Sequence, residues 1–395
     1  MRRLAALLLL AGCDSELSFG RLLAEDAGAA DAEAADADAA DADAADATPT
    51  ADASTQVSCA PPFPAFTVGD GDPNCGSEGF HHALCSCGDY VSSGTTIVDG
   101  FDSRTGAPAP GSLALDGTLS AGDLRISGSL LIAGERGAPL TGPVKVGGSL
   151  FSRGPVVGTQ PVTVAGDARV AGDVRLDSFR VGGTLHLPDG AALELADGIA
   201  PTTLRTPVMV APPCDCTLKL DVGARIDAAR NDNDNASIAL DPALGLRSVD
   251  GARAEELPCG RYYVEQIYAA QPLTLAVHGR VALFVDQRIV TETTGSLTIT
   301  LDRDAQLDLF LRLGVTGGGP IELRGGSTRV YVGGNDSLLF GAPTTLEASL
   351  YAPNSEFVSQ RRFELYGAAL LRRAVAEQDM VLHQDVALAN GTCSN

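Results

Sequence analysis

The feature that most constrains this fold is a glycine-led triplet that recurs through the first β-rich stretch. From about residue 111 the order glycine, polar, apolar recurs as Gly117-Thr118-Leu119, Gly122-Asp123-Leu124, Gly128-Ser129-Leu130, Gly148-Ser149-Leu150, Gly166-Asp167-Ala168, Gly172-Asp173-Val174 and Gly183-Thr184-Leu185. Successive intervals are 5, 6, 20, 18, 6 and 11 residues. The short intervals fit one strand plus a corner, and the long ones fit a turn of three short strands, as in a parallel β-solenoid. Within the runs, Leu124-Arg125-Ile126-Ser127 and Val144-Lys145-Val146 alternate, which sends apolar side chains in and polar ones out. The 45 glycines and the absence of tryptophan suit corners and short strands better than a large helical core. An antiparallel sandwich would also show many short strands, but hairpins do not readily produce the irregular six-residue beat. The expected fold class is all-β, a right-handed parallel β-helix.

A second β-rich stretch runs from 260 to 395, with strands expected at 273–277, 281–285, 297–301, 307–311 and 329–332. Between the two, 201–259 holds Pro212-Pro213-Cys214-Asp215-Cys216, the polar run Asn231-Asp232-Asn233-Asp234-Asn235 and Leu257-Pro258-Cys259-Gly260. It is expected to bulge from the wall under disulfide restraint. The predicted organisation is a signal peptide at 1–12, a lipidated N-terminus and linker at 13–56, a cysteine-rich segment at 57–94, solenoid at 95–200, an insertion at 201–259 and solenoid again at 260–395.

The signal peptide is read from Met1-Arg2-Arg3, an apolar run too short to span a bilayer, and Leu10-Ala11-Gly12-Cys13. This is the pattern of a bacterial lipoprotein, with Cys13 as the lipidation site and acyl chains as the membrane partner. The expected address is a membrane-anchored lipoprotein, at the outer membrane, facing the periplasm or the cell surface. Residues 23–56 repeat Ala34-Ala35-Asp36-Ala37-Asp38 and Ala39-Ala40-Asp41-Ala42-Asp43. Like charges three residues apart and nothing larger than alanine to bury predict a disordered tether. From Asp14 to Asp52 there are twelve acidic residues against Arg21 alone, so half of the formal charge of −22 lies there. Such an acidic chain lacks the basic stripe that nucleic-acid binding requires, and no nucleic-acid partner is expected.

Apart from Cys13, the cysteines are Cys59, Cys75, Cys85, Cys87, Cys214, Cys216, Cys259 and Cys393, an even set that predicts four disulfides in an oxidising compartment. Four lie between 59 and 87 and four between 214 and 393. Two bridges within each cluster is one partition, and spacing alone does not choose among the pairings. His81-His82-Ala83-Leu84-Cys85-Ser86-Cys87 crowds imidazoles and thiols, but its spacing departs from a zinc knuckle, so no metal is expected. Asp70-Gly71-Asp72-Pro73-Asn74 begins like a calcium loop, yet Cys75 stands where the turn glycine belongs and His81 where the bidentate glutamate belongs. The Asn231–Asn235 run reads as a hydrated turn.

No catalytic residues and no cofactor are assigned. The chain lacks G-x-S-x-G, H-E-x-x-H and G-x-x-x-x-G-K-[ST]. Asp302, Asp304 and Asp308 flank an expected strand and read as solvated. His186 and His278 fall beside glycine corners. His383 and Asp385 share one strand face, where a surface hydrogen bond between them is expected.

Leu350-Tyr351-Ala352-Pro353-Asn354-Ser355, then Phe363-Glu364-Leu365-Tyr366-Gly367-Ala368-Ala369-Leu370, then Val381-Leu382-His383-Gln384-Asp385 resemble the closing turns of an uncharacterised exported bacterial β-solenoid domain. That domain occurs in lipoproteins and in C-terminal parts of pilus-assembly-like proteins. Its opening pattern is matched at Val98-Asp99-Gly100-Phe101-Asp102-Ser103, so the resemblance covers roughly 95–388. The short glycine-led turns are also similar to those of bactofilins, polymer-forming bacterial scaffolds, although the exported address departs from the cytoplasmic setting of that family. The resemblance implies a fold and a location. The expected function is a non-catalytic, envelope-displayed structural or binding protein that takes a glycan or surface-protein ligand. Alternatives are a carbohydrate-active β-helix enzyme and a scaffold that assembles through open solenoid ends.

Overall fold

Short parallel strands stack into a solenoid of about 13 turns with little helix, in a computed structural model that describes residues 80–217 and 220–389. The signal peptide, the linker, Cys13, Cys59, Cys75, Cys393 and the Asp70–Asn74 loop lie outside the described residues. Each turn has three faces. One turn reads Leu84–Ser86 on the first face, Tyr90–Ser92 on the second and Thr96–Asp102 on the third. Inward positions line up from turn to turn, as Leu113, Leu130, Leu150, Ala168 and Leu185 do on the first face. Outward positions carry the polar residues: Val144 and Val146 are buried while Lys145 is exposed. Among the described residues, the exception to parallel pairing is a hairpin between Gly100–Asp102 and Ala107–Ala109.

The glycine triplet has a physical cause at each of its three positions. At the corner between the third and first faces, Gly111, Gly128, Gly148, Gly166 and Gly183 stack, each N–H from Gly128 onward donating to the carbonyl of the glycine before it, for example Gly148 to Gly128 at 2.7 Å. A Cβ on Gly148 would lie 2.8 Å from the Gly128 backbone. Glycine is required here by close approach and not by a left-handed conformation. The polar residue that follows accepts from the next turn, as Ser112 Oγ does from Ser129 N at 3.0 Å and Asp167 Oδ1 does from Thr184 N at 2.9 Å. The third residue enters the core, where burying each leucine contributes about 1.5–3 kcal/mol.

The stack does not follow the order of the chain. Phe363–Ala376 pairs with Thr344–Ser359 on one side and with Leu84–Ser86 and Tyr90–Ser92 on the other, and Met380–Asp385 pairs with Thr96–Asp102, all in parallel. The first described turn is thus seated on the last, and this seam lies inside the rod. From the seam the chain winds outward to Thr203–Arg205 at one end. It then crosses to the opposite end and winds back from Arg247–Ser248, Arg253–Leu257 and Gly260–Val264 to the seam. The stretch expected to be a bulging insertion is in fact a strap along the first face, and its last part, from Arg247, already belongs to the wall. The closing turn near 385 is an internal layer, because its edge is taken by the 84–102 turn. The solenoid therefore also begins before residue 95, inside the segment assigned to the cysteines.

The strap fits this crossing. Between Arg205 and Cys214 the chain can reach roughly 30 Å when extended, which matches the depth of stack from Thr203–Arg205 back to Leu84–Ser86 at ~4.8 Å per strand. Disulfides Cys85–Cys214 and Cys87–Cys216 then pin it to the seam turn. They join the two cysteine clusters, in contrast to the within-cluster partition, because the crossing brings residue 214 back onto residue 85. Cys259 is also disulfide-bonded. Beyond the bridges, helix α1, Val222–Ala229, is capped by Asp221, whose side chain accepts from Ala224 N at 2.9 Å. Its buried residues Val222, Ile226 and Ala229 belong to one apolar cluster with Phe284, Phe310, Tyr331 and Tyr351. Phe284 and Phe310 stack at 4.9 Å, and Phe310 and Tyr331 at 4.8 Å. Arg312 ties the helix down by bridging Asp227 and Asp286. Among the described residues, no helix is long and apolar enough to cross a membrane.

The two pinning bridges have the same sequence separation, 129 residues, and lie two residues apart on both segments. Once one is closed, the other closes only a small additional ring. Removing either pair by Cys→Ala substitution should therefore cost well under ~2 kcal/mol, and removing both about 5 kcal/mol, because only then is the long loop opened. Urea unfolding of the three variants measures this non-additivity.

Candidate functional site

A cleft opens where the third face meets the first, and it spans the seam. Phe101 comes from the 84–102 turn and Ser103 from the hairpin loop that follows it; Thr328, Glu347, Tyr366 and Asp385 come from the closing turns. Its volume is about 440 Å³. Register explains the convergence: Glu347 is level with Tyr366, Tyr366 with His383, and His383 with Asp99, while Phe101 is level with Asp385. Gly367, at φ +144°, makes room at the floor, since a Cβ there would fall 2.2 Å from the Ala348 carbonyl oxygen.

Phe101 and Tyr366 meet edge to face, with centroids 6.3 Å apart. Tyr366 stacks on His383 at 4.3 Å and donates to Glu364 at 2.7 Å. His383 Nδ1 lies 2.5 Å from Asp99 and Nε2 lies 3.3 Å from Glu364. The Tyr366 hydroxyl holds the Glu364 carboxyl below its usual range, helped by His383 against partial burial, and Glu364 in turn raises Tyr366. Glu347 Oε2 accepts from Gly325 N at 2.7 Å, and Asp385 Oδ1 accepts from Ser103 N at 3.1 Å and Ala387 N at 3.0 Å. Asp385 is only 8% exposed. The buried Thr328 hydroxyl has no hydrogen-bond partner among the described residues. The cleft thus offers aromatic side chains and carboxylate acceptors.

The other residues singled out in the sequence are dispersed. His383 and Asp385 do not bond each other, because Asp385 is engaged by the Ser103 and Ala387 amides and His383 by Asp99 and Glu364. His278 sits between Glu256 and Asp302, 2.8 Å from the latter. Asp308 is not solvated but buried, with both oxygens on Arg329 at 2.6 and 2.9 Å. Asp304 is exposed, and His186 is partly buried on the Leu185–Leu187 strand. The polar run near 231 closes one rod end: Arg261 N donates to Asp234, and Asn235 both accepts from Tyr263 N and donates to its carbonyl. Among the described residues, no group of three or more His, Cys, Asp or Glu is placed to hold a metal ion. Cys85 and Cys87, beside His81 and His82, are in disulfides. Composition and spacing pointed to none of Phe101, Thr328, Glu347 or Tyr366. Phe101 and Tyr366 do fall within the quoted solenoid motifs, but nothing local to either motif pairs them.

Two histidines give opposite pH signatures. Burial, reinforced by neighbouring His81, pushes His82 down from 6.5 to about 4. The folded state therefore disfavours its protonation, and stability present above about 6.5 is lost as pH falls toward about 4. Hydrogen bonds to Glu256 and Asp302 raise His278, whose contribution is complete below 6.5 and is lost as pH rises through its raised value. In a pH series of urea midpoints, His82→Phe should gain on the parent as pH falls through this window, and His278→Gln should lose most at the acidic end.

A family model described as a domain of unknown function (DUF7305) matches residues 213–391. The match begins on the strap beside Cys214 and runs through the turns that end at the seam. No curated protein and no solved structure matches the chain.

Proposed function

We propose that this protein is a non-catalytic recognition rod, held at the bacterial envelope by a lipid on Cys13, that binds a hydroxyl-rich ligand such as a surface glycan in the seam cleft. The observation that carries this reading is the convergence of Phe101, Tyr366, Glu347, Asp385 and Thr328 in one concave site of about 440 Å³. Aromatic faces pack against the C–H faces of sugars, and fixed carboxylates accept from their hydroxyls. Glu347 and Asp385 are already oriented by backbone amides, which lowers the ordering cost of binding. The lipoprotein-type N-terminus and the resemblance to exported solenoid domains support the address.

The test is a glycan array probed with the purified protein and with Tyr366→Ala, alongside protease treatment of intact cells. The reading expects neutral glycans to be retained, binding to fall about tenfold or more in the variant, and the solenoid to be cut from cells whose periplasmic control survives. Array binding that is unchanged by Tyr366→Ala would remove the cleft from the account.

A second reading, a self-assembling scaffold, is favoured by one observation. Ile199 and Leu204, 53% and 52% exposed, sit on the last turn at one end, where Thr203–Arg205 pairs on one side only. Concentration-dependent sedimentation abolished by Leu204→Glu would support it.

A further inference from the structure

We propose that the seam cleft selects a sugar bearing a free ammonium group, a glucosamine-type unit, over its neutral or acidic counterparts; this rests on the recognition reading above. Two carboxylates, Glu347 and Asp385, line the cleft, and no basic side chain does. Neither is in an ion pair among the described residues. Each uses one oxygen for the backbone amides already described, which leaves Glu347 Oε1 and Asp385 Oδ2 for a ligand. The guanidinium whose charge acts on Asp385, Arg104, is held by Asp102 through two bonds of 3.1 Å. A carboxylate-bearing sugar would meet like charge from both lining carboxylates.

An ammonium suits the charge of the cleft lining. It donates to the free carboxylate oxygens in charge-assisted bonds, which are stronger than those between neutral groups. Phe101 and Tyr366 line the same cleft, and a cation that reaches a free ring face is attracted by its quadrupole. The same site without an ammonium still stacks a neutral sugar, so the charge adds selectivity to the contact instead of creating it.

The experiment is isothermal titration calorimetry of the purified protein with short glucosamine oligomers and with the same oligomers fully N-acetylated, at mildly acidic pH where the sugar amine is protonated. Acetylation removes the charge and keeps the ring. The expected result is about tenfold tighter binding of the amine form. That margin should vanish in Glu347→Gln and Asp385→Asn, where the acetylated oligomer keeps measurable binding because the amide oxygens still accept from its hydroxyls. Both changes are isosteric and keep an acceptor for the backbone amides, and the retained binding of the acetylated oligomer reports that the cleft is folded. Equal binding of the two oligomers overturns the ammonium preference and leaves the recognition reading standing. A preference that persists in both variants also overturns it, because general attraction to the acidic chain would then account for the margin. If neither oligomer nor any glycan on the array binds, the recognition reading fails and the preference fails with it.

Discussion

The backbone ladder across the seam is the contact on which the other features depend. Three parallel pairings join the 84–102 turn to the 363–385 turns. They convert two half-stacks into one rod with a continuous core from Leu382 through Val98 to Ile126. Without them each half would carry an additional unpaired edge, with the aggregation hazard that such an edge brings. The seam also creates the cleft, because Phe101 and Asp385 reach the same level only when Thr96–Asp102 lies beside Met380–Asp385. It explains the strap as well, since a chain that starts and finishes at mid-rod has to travel once along the outside.

That topology sets an entropic problem. The seam contacts join residues nearly 300 positions apart, and such loops must close before their contacts contribute. The strap shortens the problem by fixing residue 214 to residue 85 and residue 216 to residue 87. The second bridge adds little to loop closure, but it fixes the direction in which the strap leaves the seam, toward Leu220, whose amide donates to the Tyr351 hydroxyl at 3.0 Å. From there α1 covers the aromatic ladder, which would otherwise be an exposed apolar stripe on the first face. The DUF7305 match, 213–391, coincides with the strap and the turns it covers. The 84–205 turns continue that stack from its last layer.

Much of the wall was legible in the sequence. The glycine triplets read correctly because corners that approach at ~4.8 Å leave no room for Cβ, and alternation within three-residue strands is a local property. The order of the turns was not legible, since an outward-in pattern is the same whichever turn lies above it. The paired Cys-x-Cys spacings at 85/87 and 214/216 were an available sign of a parallel double bridge. Helix α1 also had a signature, Asp221 followed by apolar residues at 222, 226 and 229, but it lay hidden in a stretch dominated by proline and asparagine signals. The cleft could not be read, because its residues come from turns on both sides of the seam. The His383 and Asp385 expectation failed for the same reason: their partners, Asp99 and Ser103, arrive from the other side.

The most direct test of this account is a cross-link across the seam. Val91 and Val375 are register partners that face outward on the second face. In a Val91→Cys/Val375→Cys variant, with Val157→Cys/Arg175→Cys from two sequence-consecutive turns as the control pair, the account predicts spontaneous disulfide formation in both, mapped by non-reducing peptide mass spectrometry. A link between 157 and 175 without one between 91 and 375 would contradict the closed seam, and with it the strap and the cleft.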